Sequence, residues 1–145
     1  MAIMKFPYSV QIFSEKETAE LAKVFSDSIF SGDIIVLCGE LGSGKTFFVK
    51  EVARQFGINN VSSPTFSLIN EYIGRVRIYH FDFYRIEKSN ELFDIGFNDY
   101  LNDDDSIIFI EWGNMFPEII PGNRIEINIE VKKNLSRRFI INKYE

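Results

Sequence analysis

Apolar positions recur along this chain with two periods. Ile34, Ile35, Val36, Leu37 and Cys38 form an unbroken run, the pattern of a strand buried on both faces. Ile107, Ile108, Phe109 and Ile110 repeat it. Ile125, Ile127, Ile129 and Val131 instead alternate with Glu126, Asn128 and Glu130, which predicts a half-exposed strand. After the turn Lys132-Lys133-Asn134, Phe139 to Ile141 close a hairpin. Phe66 to Tyr72 and Val76 to Phe83 read as two more strands joined at Gly74-Arg75, and Val10 to Phe13 as a short edge strand.

The helical period appears twice at length. Leu21, Ala22, Phe25 and Ile29 share one face of a helix that ends near Ser31-Gly32, and Ser14 with Glu17 forms its capping box. Phe48, Val49, Val52, Ala53 and Phe56 mark a second helix, stopped by Gly57. Ser89 caps a short third one holding Leu92, Phe93 and Ile95, which Gly96 breaks before a further turn to Leu101. Pro64 biases Ser63 away from helix, so 61–65 is extended or a turn. Pro117, Pro121 and Gly122 mark an irregular connection. The expected fold is α/β: a mixed sheet flanked by helices, parallel at its buried centre and antiparallel at its margins.

Composition narrows the function classes. A length of 145 residues suggests one domain over 1–145, and most of the 15 Phe are expected in its core. A net charge of −5 argues against nonspecific nucleic-acid binding, which needs a basic face. Cys38 is the only cysteine, so an intramolecular disulfide and a multi-cysteine metal site are excluded. The first eleven residues lack the apolar core of a signal peptide. No apolar run approaches the ~20 residues of a membrane span, so a cytoplasmic protein without membrane contact is the default.

Chemistry enters at Gly39-Glu40-Leu41-Gly42-Ser43-Gly44-Lys45-Thr46, which fits the phosphate-binding loop G-x-x-x-x-G-K-[ST] between a strand and a helix. Gly39, Gly42 and Gly44 leave room for phosphate oxygens and let backbone N–H groups converge. The helix N-terminus adds partial positive charge. Lys45 is placed to bridge the outer phosphates and Thr46 to ligate Mg²⁺. The fold is thus expected to be like that of P-loop NTPases. An acidic partner belongs at the end of a neighbouring strand, and Glu111 and Asp82 both qualify. Glu111, after four apolar residues, is favoured as Mg²⁺ ligand, directly or through water; Asp82 then serves from a second layer or positions the attacking water. Thr65 sits where a switch loop would sense a γ-phosphate. Trp112 is either core or a stacking surface, and His80, the only histidine, reads as structural.

Four motifs in order carry a resemblance: residues 39–46, Ser-Pro-Thr-Phe at 63–66, His-Phe-Asp-Phe-Tyr-Arg at 80–85 and Glu-Trp at 111–112. With Ser14 to Thr18 and Leu21-Ala22, they resemble the TsaE (YjeE) family over nearly the whole chain. The resemblance implies an ATP- and Mg²⁺-binding ATPase acting with TsaD and TsaB in threonylcarbamoyladenosine modification of tRNA, touching tRNA only through that complex. It implies Lys45 and Thr46 on phosphate and Mg²⁺, with Thr65, Asp82 and Glu111 lining the site. It adds Trp112 to the same site and sets Thr18 near the adenine. The competing expectations are a small-molecule kinase of another P-loop lineage, which needs an acceptor pocket and usually an arginine-rich lid, and a nucleotide switch with incidental turnover. No Asn-Lys-x-Asp guanine-reading motif is evident.

Overall fold

Seven strands form one sheet in the computed structural model, which describes residues 3–61 and 68–145. In chain order they are β1 (Tyr8–Ile12), β2 (Ile34–Cys38), β3 (Ile69–Ile73), β4 (Arg77–Asp82), β5 (Ser106–Glu111), β6 (Arg124–Val131) and β7 (Arg137–Tyr144). The spatial order is β1-β7-β6-β2-β5-β4-β3. The four central strands β6, β2, β5 and β4 run parallel. At the margins β7 pairs antiparallel with β6, β1 with β7, and β3 with β4. The expected mixed sheet is therefore what forms, and the apolar runs at β2 and β5 lie at its centre because only there are both faces covered.

Two layers cover it. Helices α1 (Glu15–Ser26) and α2 (Lys45–Gln55) pack on one face through Leu21, Phe25, Phe48, Val49 and Val52, against Ile35, Leu37, Phe109 and Ile127. Phe48 stands between Phe25 and Phe139, with ring centroids 5.5 and 5.3 Å away. The short helices α3 (Asn90–Asp94) and α4 (Phe97–Leu101) belong to the other face, where Phe81, Phe83, Leu92 and Phe97 meet Ile34, Val36, Ile108 and Ile110. Phe25, Phe48, Phe81, Phe83, Phe97, Phe109 and Phe139 are buried in the core and Phe6, Phe56 and Phe116 pack against it, so most of the described phenylalanines serve packing, as expected; Phe13, Phe30 and Phe93 are exposed.

The boundaries differ in physically readable ways. The turn expected after Gly96 closes into α4, because Gly96 takes φ 75° and restarts the helix at once. The edge strand begins at Tyr8 and stops before Phe13, which is 65% exposed at the mouth of α1. Its pairing with β7, not its own apolar content, sets its length. The strand expected from Phe66 is described only from Ile69; residues 62–67, including Thr65, lie outside the described residues.

Candidate functional site

The glycine loop leaves the end of β2 and turns into α2 at Gly44, whose φ of 110° is a left-handed conformation that L side chains rarely adopt. Gly39 is fixed by space: a Cβ there would lie 2.6 Å from Ser43 Oγ and 2.8 Å from the Ile129 carbonyl oxygen. From β7, Arg137 holds the loop's outer side. Its Nε donates to the Ser43 carbonyl at 2.7 Å and its Nη2 to the Gly42 carbonyl at 3.3 Å.

Lys45, 5% exposed, points back into the loop. Its ammonium donates to the carbonyls of Gly39 (2.6 Å) and Glu40 (3.0 Å) and lies 4.2 Å from the centroid of the Trp112 ring. Burial lowers the Lys45 pKa, while the Glu111 and Asp82 carboxylates pull it the other way.

Next along α2, the Thr46 hydroxyl lies 2.9 Å from Glu111 Oε2 and 3.1 Å from Oε1. Sixty-five residues separate the two in sequence. Sheet register closes the gap: β2 and β5 are parallel neighbours with Leu37 opposite Glu111, so both strands end at the loop. The β4 terminus arrives beside them, with Asp82 opposite Glu111. Asp82 Oδ1 accepts from the Tyr84 backbone N–H at 2.9 Å. Burial raises the Asp82 pKa, and the Glu111 charge adds to the rise.

His80 precedes Asp82 by two positions and shares its face of β4. It is fully buried, and its Nε2 lies 2.5 Å from Glu111 Oε2.

Two adjoining cavities open here. One of about 260 Å³ is lined by Gly42, Lys45, Thr46, Asp82, Tyr84, Glu111 and Trp112, among others. The second, about 390 Å³, lies between α1 and the loop, with Thr18, Phe13, Phe47, Arg137 and Phe139 in its walls. Gly44 and Phe47 border both.

Most of the sequence candidates fall into two groups. Gly42, Gly44, Lys45, Thr46, Asp82, Glu111 and Trp112 surround the first cavity, together with Leu41, which is 67% exposed at its rim. Thr18 is buried and lines the second; its hydroxyl donates to the Ser14 carbonyl at 3.3 Å. Glu40 and Ser43 contribute backbone carbonyls, to Lys45 and Arg137 respectively. Thr65 lies outside the described residues.

A family model described as threonylcarbamoyl adenosine biosynthesis protein TsaE matches residues 12–139. The chain belongs to the TsaE family. It is 40% identical over 133 residues to the tRNA threonylcarbamoyladenosine biosynthesis protein TsaE of Rickettsia typhi, covering 90% of this chain and 91% of that one. The protein of that name from Bacillus subtilis is 38% identical over 117 residues, covering 79% and 72%. Among solved structures, the crystal structure of Bacillus subtilis YdiB superposes with a TM-score of 0.82 at 27% identity, covering 99% of this chain and 90% of that one. Membership of the TsaE family places this chain in threonylcarbamoyladenosine biosynthesis.

Two residues at the loop of this TsaE family member were not among the sequence candidates for the site. Arg137 gave no signal, since its target is backbone. His80 did give one: alternation along β4 puts it on the face of Asp82, where a buried imidazole needs a partner.

Proposed function

We propose that this protein binds ATP with Mg²⁺ at the glycine loop and hydrolyses it as an accessory to TsaD and TsaB in tRNA threonylcarbamoyladenosine synthesis. In this reading residues 1–145 act as one ATPase domain. The observation that carries the reading is the Thr46 hydroxyl within 2.9 Å of Glu111, at the mouth of a loop that also presents Lys45 and a helix N-terminus. Hydroxyl and carboxylate oxygens are the hard donors Mg²⁺ prefers, and Mg²⁺ is usually held by one or two carboxylates plus substrate phosphates. Thr46 and Glu111 would hold the ion, with Asp82 behind them. The chemistry that magnesium supplies when bound is neutralisation of charge on the phosphate oxygens.

The chain's own part is positioning and charge. Lys45, already stripped of much of its hydration, exchanges loop carbonyls for phosphate oxygens. The N–H groups of the loop and of the first turn of α2 face the same oxygens. Asp82, whose raised pKa makes it a better base than an exposed aspartate, orients water for in-line attack and accepts its proton. Trp112 packs over Lys45 and, with Tyr84 at 5.0 Å between ring centroids, walls the cavity against bulk water. The cavity beside Thr18 takes the nucleoside, because it adjoins the loop at Gly44.

Phosphate release with Mg²⁺, measured with and without TsaD and TsaB, tests the proposal. Stimulation by the partners is expected, with a fall on the order of 100-fold in Glu111→Ala. A phosphorylated metabolite formed without either partner would favour the kinase reading instead.

A further inference from the structure

Glu111 is an anion 3% exposed, one residue from the ring that covers Lys45, and both Lys45 and Glu111 face one small cavity. Buried opposite charges this near attract strongly. Direct collapse of Glu111 onto Lys45 would close the space in which phosphate and cation have to sit side by side. That collapse is not what forms. Among the described residues, Lys45 donates to the Gly39 and Glu40 carbonyls, while Glu111 receives Thr46 and His80.

We propose that His80 is a positioning residue: its Nε2–H grips Glu111 Oε2 and keeps that carboxylate turned toward Thr46 and away from Lys45. The inference rests on the nucleotide and magnesium reading above and adds to it the residue that keeps the two subsites apart.

The tautomer follows from accounting for the ring's polar atoms. Nε2 lies 2.5 Å from Glu111 Oε2, and because a carboxylate only accepts, the shared proton is placed on Nε2. Nδ1 is buried and has no hydrogen-bond partner among the described residues. A proton there would leave a buried donor unsatisfied, so the hydrogen-bonding proton belongs on Nε2. His80 is 0% exposed between the sheet and the α2 layer, and its ring lies 6.3 Å from that of Tyr72. It therefore has little freedom to follow Glu111 should the carboxylate turn. A carboxylate free to rotate would be drawn from the Thr46 hydroxyl toward the Lys45 ammonium; one tied at Oε2 is held against that pull. This is the oriented outer partner that metal-site carboxylates commonly use, built here from a strand whose next inward residue is Asp82.

The test exploits His80 being the only histidine of the chain, so ¹⁵N-histidine labelling of untagged protein yields a single ring. In the ligand-free protein we expect Nε2 protonated, Nδ1 unprotonated, and an Nε2–H proton slow to exchange, lost as a protected signal in Glu111→Ala. An Nδ1–H tautomer overturns the inference. In parallel, binding of a non-hydrolysable ATP analogue is titrated with Mg²⁺ for wild type, His80→Leu and His80→Gln. His80→Leu should bind the Mg²⁺-free analogue as wild type does, but need about 10- to 100-fold more Mg²⁺ for the metal-dependent gain. His80→Gln, whose amide can reach the same oxygen, should stay within about threefold of wild type. Should the leucine variant fail to fold, glutamine decides alone: a folded His80→Gln protein with the Mg²⁺ requirement raised tenfold overturns the role, as does His80→Leu with unchanged Mg²⁺ dependence. A wild type with no Mg²⁺-dependent gain sinks the nucleotide and magnesium reading, whereas the ring spectrum still reports the hold on Glu111.

Discussion

Asp82 carries a cost that its position imposes. Burial first, and the Glu111 charge second, raise its pKa above the ordinary 3.8. A carboxyl with a raised native pKa binds protons more tightly folded than unfolded. Its ionisation therefore destabilises the fold fully once pH exceeds the raised value, and not at all below 3.8. Asp82→Asn keeps an acceptor for the Tyr84 N–H but removes the charge. It should raise the melting temperature by a few degrees at pH 7, with the gain shrinking as pH falls toward 3.8. Under the proposed function the same variant should also lose ATP hydrolysis, and thermal scans at two pH values beside a phosphate-release assay check both halves. A gain that persists unchanged at pH 3.5 would mean that charge is not the cause. Trp112 holds a related tension. Its φ of 63° is a left-handed conformation for a bulky residue, tolerated here while its ring covers Lys45 and touches Tyr84.

At the scale of elements, the glycine loop depends on a strand that the motif does not include. β7 reaches it through Arg137, which bonds two successive loop carbonyls. Those bonds fix the orientation of the two peptides that carry the N–H groups of Ser43 and Gly44. Arg137→Ala should weaken nucleotide affinity about tenfold by calorimetry, the worth of one to two net hydrogen bonds, while leaving the fold intact. Arg137→Lys should restore little, since a point ammonium cannot serve two carbonyls in the guanidinium's fixed fork.

Helix α1 shows the opposite case, an element whose start is wholly local. Ser14 Oγ accepts from the Glu17 N–H at 3.2 Å, the cap read from Ser14 and Glu17 alone, while Glu17 Oε1 accepts from the Phe13 N–H at 3.4 Å, one residue before the cap. Ser14→Ala should cost about 1 kcal/mol in urea unfolding.

For the whole molecule, ligand and fold are linked. If the loop binds ATP with Mg²⁺ only when folded, saturation at 1,000 times Kd adds about 4 kcal/mol to stability. Differential scanning calorimetry should then show a rise in melting temperature on the order of 10 °C with ATP and Mg²⁺, absent in Lys45→Ala. An equal shift in that variant would place the nucleotide elsewhere.

Much of this protein was legible in one dimension. The loop, the strand before it and the helix after it are contiguous, so their residue types and spacing carry their geometry. The α/β class and the mixed sheet followed from apolar runs and alternation, because burial on two faces or one leaves those patterns in any strand. What the chain could not express locally was adjacency. Glu111 meets Thr46, and His80 meets Glu111, only because β5 lies between β2 and β4 in a parallel register that no short window of sequence encodes. Arg137 reaches the loop by the same route, through a hairpin that folds back against β6. Local chemistry determined what the loop is; long-range pairing of strands decided which side chains surround it, since hydrogen-bonded register acts between segments far apart along the chain.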